Sequence, residues 1–436
     1  MIDWISHPVT APLIGEVSLP GDKSISHRAL FLASIAAGQT VVHGFSDGED
    51  CRRTRDAFEA MGVHISSEHD GRLVIDGVGK YGLTAPKRPL DCGNSGTTMR
   101  LLMGLLAAQP FHTRLIGDES LHKRPMARVS LPLQQMGADI DTHLGCAPIF
   151  IRGQVNLIAI DYTLQQASAQ VKTALLLAGL YAQGRTKIFE PNPSRDHTEK
   201  MLALFCAEKT SQHILSTHSE LYLKGTELHI PGDISSAAFF MIAATLIPGS
   251  HILIKDVGIN PHRMGVIHIL RAMGGQIQLL NQRQFGQEPI ADIEVQYALL
   301  RGVVITKDMV PSAIDEFPIL FIAAACATGE THLTGAEELR TKESDRIAVM
   351  ISGLNQLGIS AEARQDGVCI QGGLLQGGCV SSMGDHRVAM AFSIAGALAK
   401  KPVTVIDCKP VLTSFPRFQS VANQLGFMIE SYEQQK

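Results

Sequence analysis

Four short polar segments of this 436-residue chain carry cationic side chains, and each stands at the start of an apolar stretch. Ser, Asn and Asp at such starts are typical N-cap residues of helices, because their oxygens accept N–H groups that the first turn leaves unbonded. A helix N-terminus also carries partial positive charge and binds anions. The residues at these four starts are, in chain order, Lys23, Ser24, Ser26 and Arg28; Asn94, Ser95, Gly96, Thr97, Thr98 and Arg100; Ser168, Gln170 and Lys172; and Asp385, His386 and Arg387. Capping alone explains any one start, but four cationic starts in one chain favour an anionic ligand.

Three further charged segments lie outside these starts. They are LHKRPM with Lys123 and Arg124, SRDHTEKM with Arg195, Asp196 and His197, and TKESDRI with Lys342, Glu343, Asp345 and Arg346. If the last segment forms a helix, Lys342 and Arg346 share one face, with Glu343 beside them. A solvated ladder of opposite charges is the alternative interpretation of that spacing.

One structural plan recurs six times along the chain: a polar start, an apolar helix, a turn and a strand. The six copies begin at Gly21, Gly93, Ala167, Gly232, Ile314 and Gly384. Their spacing is 72, 74, 65, 82 and 70 residues, close to the mean of about 73 for one sixth of the chain. A weaker helix ending in Met-Gly or Leu-Gly follows in every copy except the third, around MLALFCAEKT. The fifth copy has carboxylates, Asp315 and Glu316, at its start.

The first helix of each copy is apolar on all faces, as ALFLASIAAG and AAFFMIAATL illustrate, and this predicts wholly buried helices. Short alternating strands such as RLVIDGV and VCIQGG lie between them. We therefore expect an α/β fold of two lobes, each with three copies around three buried helices. Copies one to three would occupy residues 22–229, and copies four to six would occupy 230–436 together with 1–21.

The composition excludes several classes of protein. Lys and Arg number 38 against 42 Asp and Glu, so the net charge of −4 excludes a uniformly basic nucleic-acid-binding surface but permits a local basic cleft. The eight cysteines are scattered without a C-x-x-C pair, which favours a reduced, cytoplasmic protein. We expect no secretory leader, and the apolar runs fall short of the roughly 20 residues that a membrane helix needs. Neither nucleic acid nor membrane is an expected partner.

Eight segments, in order between residues 19 and 416, resemble the EPSP synthase family of enolpyruvyl transferases. They are LPGDKSISHRAL, GNSGTTMR, RPM, SAQVKTALLLAG, DEFPILFIAAA, KESDRI, GDHRVAMAF and TSFP. The resemblance implies two similar lobes, each of three βαβαββ repeats around buried parallel helices, which close on substrates bound between them. It implies transfer of the enolpyruvyl group of phosphoenolpyruvate to the 5-hydroxyl of shikimate 3-phosphate, with release of phosphate, by a monomer of the aromatic amino acid pathway.

The resemblance also implies which residues bind each substrate. For shikimate 3-phosphate they are Lys23, Ser24, Arg28, Ser168, Gln170, Arg195, Asp315 and Lys342. For phosphoenolpyruvate they are Lys23, Gly96, Arg124, Gln170, Arg346 and Arg387. Guanidinium groups suit bidentate contact with phosphate and carboxylate, and Gly96 lets the backbone approach a ligand closely.

Asp315, Glu343 and Lys23 are the implied catalytic residues. The reaction is an addition followed by an elimination, so the 5-hydroxyl loses a proton, and C3 of phosphoenolpyruvate gains one and later returns it. We expect Asp315 to be the base for the hydroxyl and Glu343 to be the acid and base at C3, with Lys23 as a competing candidate. Burial and anionic neighbours would keep Glu343 protonated, whereas nearby cations oppose this, so its ionisation state stays open. No cofactor, metal ion or covalent nucleophile is implied.

Two positions depart from the family pattern. Many members have a lysine that contacts phosphoenolpyruvate immediately before a T-F-P-type motif, where this chain has Thr413 in DCKPVLTSFPRF. Lys409 lies four residues earlier and does not align with that lysine. The third helix start reads Ser168-Ala169-Gln170, where some members have two serines. These differences predict a divergent branch of the family.

Two other functions compete with this interpretation. A related enzyme transfers enolpyruvyl to UDP-N-acetylglucosamine and carries a reactive cysteine on a loop of its second repeat, whereas residues 117–125 here contain no cysteine. A non-catalytic, two-lobed anion-binding protein would need the cations but not Asp315 and Glu343. A nucleotide-using kinase or an RNA-end cyclase is disfavoured by the absence of a G-x-x-x-x-G-K-[ST] motif.

Overall fold

A computed structural model describes residues 2–69, 71–206 and 214–433. They form two compact units, each with its own hydrophobic core. The first unit contains Gly21–Ile230 and Gln284–Glu288, and the second contains Met1–Pro20, Pro231–Arg283 and Pro289–Lys436. In the described part of the chain, no helix combines the length and the hydropathy that crossing a membrane requires.

The helices divide evenly between the two units. Those of the first unit are α1 (Lys23–Ile35), α2 (Glu49–Ala60), α3 (Gly96–Leu106), α4 (Glu119–His122), α5 (Ala127–Gln135), α6 (Ala169–Gly179) and α7 (His197–Cys206). Those of the second unit are α8 (Ile234–Leu246), α9 (Gly265–Ala272), α10 (Val310–Ala313), α11 (Phe317–Ala325), α12 (Arg346–Gln356), α13 (His386–Leu398) and α14 (Phe418–Gln424). Short 3₁₀ helices cover Pro261–Arg263, Lys307–Met309, Glu337–Thr341 and Lys409–Thr413.

The strands are short throughout. In chain order they are β1 (Ile2–Ser6), β2 (Ile14–Ser18), β3 (Ala37–His43), β4 (His64–Ser67), β5 (Leu73–Val78), β6 (Leu90–Asp91), β7 (His112–Ile116), β8 (Asp139–His143), β9 (Cys146–Arg152), β10 (Asp161–Thr163), β11 (Arg185–Phe189), β12 (Ile214–His218), β13 (Glu227–His229), β14 (His251–Gly258), β15 (Gln276–Phe285), β16 (Glu288–Gln296), β17 (Val304–Ile305), β18 (Glu330–Leu333), β19 (Ala361–Arg364), β20 (Gly367–Gln371), β21 (Gly378–Ser381), β22 (Val403–Ile406) and β23 (Ile429–Glu433).

Each repeat forms its own small sheet. Four-stranded sheets have the orders β13-β3-β5-β4, β6-β7-β9-β8, β2-β14-β16-β15, β17-β18-β20-β19 and β21-β22-β1-β23, and the described strands of the third repeat have the order β10-β11-β12. The first two strands of each order run parallel, and the remaining pairs run antiparallel. A parallel pair requires a crossover, and a buried helix supplies it between β6 and β7, β10 and β11, β17 and β18, and β21 and β22. The α/β class and the six repeats expected from the sequence are thereby confirmed, although the described residues of the third repeat contain three of the four expected strands.

Three strands join sheets that are distant from them in sequence. β13 pairs with β3 and completes the first sheet from the end of the first unit. β2, which contains the start of VSLP, pairs with β14 in the fourth sheet, and β1 lies between β22 and β23 in the sixth. Hydrogen bonds to remote strands therefore bind the N-terminal residues into the second unit.

The six buried helices begin where the polar starts predict, with one exception. Asp22, Ser95, Ser168, Asp233 and Asp385 cap α1, α3, α6, α8 and α13, each accepting a hydrogen bond from a backbone N–H of the first turn. The fifth helix, α11, begins at Phe317, and the side chain of Glu316 forms no capping hydrogen bond. The carboxylate of Asp315 therefore lies before the helix rather than at its cap.

Candidate active site

The first two turns of α1 carry two cations: Lys23, which is held by an ion pair, and Arg28, which is held by hydrogen bonds to uncharged oxygens. Lys23 donates a 2.8 Å hydrogen bond from Nζ to Oδ2 of Asp50, and both side chains are only partly exposed. Arg28 lies one turn further and is 3% exposed. Its guanidinium donates from Nε to Thr198 Oγ1 at 2.8 Å and from Nη1 to the carbonyl of Ser24 at 2.9 Å. These bonds fix the guanidinium before any ligand binds.

The electrostatic state of Arg28 suits an anion site. Burial lowers the pKa of Arg28 to about 10; the repulsion of Arg195 adds to this effect, and the attraction of Glu199 opposes it. The guanidinium therefore stays charged at neutral pH. Arg195 approaches the same place, since its Nη1 lies 3.4 Å from Ser24 Oγ.

Hydrogen bonds join the starts of α1, α3 and α6. Arg28 Nη2 donates to Thr173 Oγ1 at 3.0 Å and to the carbonyl of Ala169 at 3.3 Å, which links α1 to α6. Gln170 links α6 to α3, because its Nε2 donates to Thr97 Oγ1 at 2.9 Å and its Oε1 accepts from Arg100 Nη1 at 2.7 Å. The three helix starts predicted from the sequence thus meet at one end of the first unit.

Gly96 lies against two guanidiniums at the start of α3. A Cβ placed there would lie 2.9 Å from Arg100 Nη1 and 3.3 Å from Arg124 Nη1. Arg124 is itself oriented by a 2.6 Å hydrogen bond from Nη2 to Asn94 Oδ1. Sequence reasoning noted Arg100 at this helix start without assigning it to the site; the signal was its position one turn after Gly96.

A buried hydrogen-bonded chain supports the same helix start. His27 Nδ1 and Thr98 Oγ1 each lie 2.7 Å from Thr54 Oγ1, and Thr98 donates to the capping oxygen of Ser95 at 2.7 Å. Burial, together with the nearby charges of Lys23 and Arg28, lowers the pKa of His27 well below its ordinary value. His27 is therefore neutral and connects α1 to α3 without adding charge.

Lys172 does not belong to the anion-binding group in which the sequence analysis placed it. Its side chain is fully buried, and Nζ donates to Glu190 Oε2 at 2.7 Å and to Glu199 Oε1 at 2.6 Å. Burial raises the pKa of Glu199, and Lys172 opposes that rise. Two carboxylates hold the lysine inside the unit, whereas Ser168 and Gln170 of the same helix start lie at its end.

In the second unit, Arg346 is surrounded by three carboxylates. Its Nε donates to Asp385 Oδ2 at 2.8 Å, its Nη2 donates to Glu343 Oε2 at 2.6 Å, and its Nη1 lies 3.7 Å from Asp315 Oδ1. Burial alone would lower the pKa of Arg346, but the three carboxylates raise it above its ordinary value. We call Asp315, Glu343, Arg346 and Asp385 the arginine–carboxylate cluster.

The segment TKESDRI is not one helix. A 3₁₀ helix ends at Thr341, and α12 begins only at Arg346, capped by Asp345, which accepts from the N–H of Ala348 at 3.0 Å. Lys342 pairs with Glu338 at 2.7 Å, so it does not share a helical face with Arg346. The intervening turn instead directs Glu343 back to Arg346.

The start of α13 adds a second arginine. Asp385 Oδ1 accepts from the N–H of Arg387 at 2.9 Å while Oδ2 binds Arg346. Arg387 is 8% exposed, and within the described residues its guanidinium forms no hydrogen bond. Asp385, which the sequence analysis treated only as a cap, therefore organises both arginines.

Two other positions differ from simple expectations. Thr413 donates from Oγ1 to the carbonyl of Pro410 at 2.7 Å, so its hydroxyl is bonded within its own 3₁₀ turn.

The start of α8 has no cation in its own sequence, but Arg263 lies beside it. Arg263 Nη2 lies 3.1 Å from Asp233 Oδ1 and 3.7 Å from Glu316 Oε1. These carboxylates neutralise Arg263, so this helix start does not resemble the cationic ones.

Known proteins resemble the chain over nearly its whole length. The model of the EPSP synthase (3-phosphoshikimate 1-carboxyvinyltransferase) family matches residues 9–421. A 3-phosphoshikimate 1-carboxyvinyltransferase of Legionella pneumophila strain Philadelphia 1 is 57% identical over 435 residues, covering 99% of this chain and 100% of the relative. One of Methylococcus capsulatus is 56% identical over 420 residues, covering 95% of this chain and 96% of the relative.

Solved structures agree with this result. An EPSP synthase structure from Acinetobacter baumannii superimposes with a TM-score of 0.88 at 47% identity and covers 99% of this chain and 100% of that chain. The resemblance stated from the sequence motifs is thus confirmed in sequence and in fold. The chain belongs to the EPSP synthase family.

Proposed function

We propose that this chain transfers the enolpyruvyl group of phosphoenolpyruvate to the 5-hydroxyl of shikimate 3-phosphate and releases phosphate. The observation that carries the proposal is the arginine–carboxylate cluster, in which the side chains of Asp315 and Glu343 are each 19% exposed beside the buried Arg346. A protein that only bound anions would need the arginine but not two accessible carboxylates. Family membership over nearly the full chain supports the same reaction.

The first-unit helix starts support binding of shikimate 3-phosphate. Arg28 and Arg195 are cations beside Ser24, and the hydrogen bonds that hold Arg28 reduce the entropy cost of ordering it around a phosphate. We assign the contacts with shikimate 3-phosphate to Lys23, Ser24, Arg28, Ser168, Gln170, Arg195, Asp315 and Lys342. The hydroxyl and amide groups of this set would bind the polar ring substituents.

Four arginine and glycine positions support binding of phosphoenolpyruvate. Gly96 leaves room beside the guanidinium of Arg124. Within the described residues, neither Arg346 Nη1 nor the guanidinium of Arg387 donates a hydrogen bond to the protein. Each can therefore donate to an oxygen of a bound phosphate or carboxylate. We assign this substrate to Lys23, Gly96, Arg124, Gln170, Arg346 and Arg387.

The carboxylates and Lys23 would divide the proton transfers. Asp315 accepts the proton of the 5-hydroxyl while the hydroxyl oxygen bonds to C2 of phosphoenolpyruvate. In the same addition step, C3 receives a proton and becomes a methyl group. Elimination then removes a proton from C3, breaks the bond from C2 to the phosphate oxygen and releases phosphate. We assign Glu343 as the acid and base at C3, and its Oε2 accepts a 2.6 Å hydrogen bond from Arg346 Nη2. Lys23 is the alternative donor to C3.

The loss of the family lysine at Thr413 leaves the phosphoenolpyruvate site with one cation fewer. Lys23, Arg124, Arg346 and Arg387 are then the cations that bind this anion, since Thr413 has no charge and its hydroxyl proton is bonded to the Pro410 carbonyl. We further propose that the enzyme is a cytoplasmic monomer. Light scattering of the purified chain and fractionation of the source cells test these two points.

Phosphate release from phosphoenolpyruvate tests the reaction directly. The assay is run with shikimate 3-phosphate and, in a separate arm, with UDP-N-acetylglucosamine. We expect release only with the first acceptor. Release only with the second would assign the chain to the related transferase, and release with neither would favour a non-catalytic anion-binding protein.

A further inference from the structure

Two histidines and a glutamate meet on one face of the first sheet. β3 and β13 run parallel, and their register places His43 directly opposite His229. Glu227 lies two residues before His229, so strand geometry puts its side chain on the same face. The two imidazole rings stack at 4.3 Å with an interplanar angle of 8°. Glu227 Oε1 lies 2.8 Å from His43 Nε2 and 4.0 Å from His229 Nε2.

Imidazole nitrogens and carboxylate oxygens, which these three side chains provide, are ligands that Zn²⁺ binds in proteins. Their ligand atoms all lie within 4.8 Å of one another. Bonds of about 2.0–2.1 Å place the ligands of tetrahedral Zn²⁺ roughly 3.4 Å apart. The three side chains are between 28% and 64% exposed, so they have room for shifts of this size. Binding would turn the two rings out of parallel so that both Nε2 atoms face the ion.

We propose that His43, Glu227 and His229 form a binding site for a divalent transition-metal ion such as Zn²⁺. Two histidines and one glutamate are a known donor set that leaves a fourth position for water. Phe285 packs beside His229 with ring centroids 5.5 Å apart, so an apolar side chain borders the proposed ligands on one side. None of these residues is assigned to substrate binding or catalysis.

Two other groups of potential ligands are poorer candidates. Glu330, His332 and Cys369 also come together, but burial raises the pKa of the Cys369 thiol, which must lose its proton to bind a metal. Beside Asp196, His197 and Glu288, the ammonium of Lys200 already lies 2.8 Å from Asp196 Oδ1 and 3.9 Å from Glu288 Oε2. A cation therefore already occupies that group.

Isothermal titration calorimetry of the metal-free full chain with Zn²⁺ tests the proposal. We expect binding that His43→Ala, His229→Ala and Glu227→Gln each weaken by at least about tenfold, the scale on which even outer-shell partners affect metal affinity. His332→Ala, in the competing group, is the matched control and should bind as the unmodified chain does. When Co²⁺ replaces Zn²⁺, the visible absorption of four-coordinate Co²⁺ should be lost in the same three variants and kept in the control.

The outcomes separate the alternatives. Enolpyruvyl transfer at the unmodified rate shows that each variant is folded, because none of the changed residues takes part in that reaction. Absence of Zn²⁺ binding by the unmodified chain would overturn the proposal. So would equal binding by the unmodified chain and all three variants, or loss of binding only in His332→Ala.

Discussion

Arg346 and Asp385 form a buried ion pair across 39 residues of sequence, with Nε 2.8 Å from Oδ2 and side chains only 1% and 0% exposed. The bond anchors the guanidinium at Nε and directs Nη1 and Nη2 toward Asp315 and Glu343. Because Asp385 also caps α13, a single carboxylate orients Arg346 and the helix start that carries Arg387. The geometry of the arginine–carboxylate cluster therefore depends on a residue without an assigned substrate contact.

Asp385→Asn should destabilise the second unit. Removing one partner of a buried ion pair leaves Arg346 less compensated and costs about 3 kcal/mol or more. Urea denaturation measures the free energy of unfolding. Asp345→Asn is the control, because asparagine also caps helices well and the pair with Arg340 is partly exposed, so it should cost at most about 1 kcal/mol. Equal stability of the two variants would contradict this role of Asp385.

Asp315→Asn and Glu343→Gln should each bind shikimate 3-phosphate but lose turnover. Loss of a positioned acid or base lowers kcat by about 10²- to 10⁴-fold. Calorimetry and the phosphate-release assay measure the two effects separately. Glu337→Gln changes an exposed carboxylate on the nearby 3₁₀ helix and should leave both unchanged. Full turnover in both site variants would refute the acid–base assignment.

Gly96→Ala should weaken phosphoenolpyruvate binding selectively. The new Cβ would lie 2.9 Å from Arg100 Nη1 and 3.3 Å from Arg124 Nη1, so both guanidiniums must move. Overpacking of about 1–3 kcal/mol corresponds to roughly a 5- to 150-fold rise in the KM for phosphoenolpyruvate. The affinity for shikimate 3-phosphate should change little. Gly373→Ala in the second unit, where a Cβ would meet nothing closer than Ile359 Cδ1 at 3.4 Å, is the control for a glycine-to-alanine change, and a similar KM in both variants would argue against the contact.

Arg28→Lys should raise the KM for shikimate 3-phosphate although the charge is kept. Lysine cannot bond to Thr198, Thr173 and the Ser24 carbonyl together as the guanidinium does. Loss of one charge-assisted hydrogen bond, at about 1.5–3 kcal/mol, predicts roughly a 10- to 150-fold rise in this KM. Steady-state kinetics measure it, with Arg55→Lys in an exposed pair with Glu59 as control. A KM that is unchanged in Arg28→Lys would remove Arg28 from the phosphate site.

Acid should destabilise the second unit partly through Asp292. Burial opposes its ionisation, but hydrogen bonds from Asn281, the Asp256 N–H and Arg283 lower the pKa of Asp292 to about 2. The carboxylate therefore contributes stability that is fully present above the ordinary pKa of 3.8 and is lost as the pH falls toward 2. Asp292→Asn should lower the free energy of unfolding at neutral pH, and the difference should shrink between pH 4 and pH 2. Asp308→Asn, at an exposed carboxylate, should give no such pH-dependent difference.

Local chemistry in the sequence was sufficient for the repeats and for the ends of the buried helices. N-cap residues such as Asp22, Ser95 and Asp385 act on backbone groups within three residues, and runs that are apolar on all faces must be buried. The same local signals left open whether TKESDRI is helical, and in the structure α12 begins only at Arg346, with Glu343 paired to it from the preceding turn.

Sequence patterns were sufficient to predict an α/β fold of six repeats, and the motifs implied the family and the substrates. Which charged side chains act together was set by the folded structure. It buried Lys172 between Glu190 and Glu199, placed Arg100 beside Gln170, and brought His43 against His229 across two strands far apart in the chain. Such partners are set by strand register and helix packing between distant segments, and no spacing along the chain encodes them.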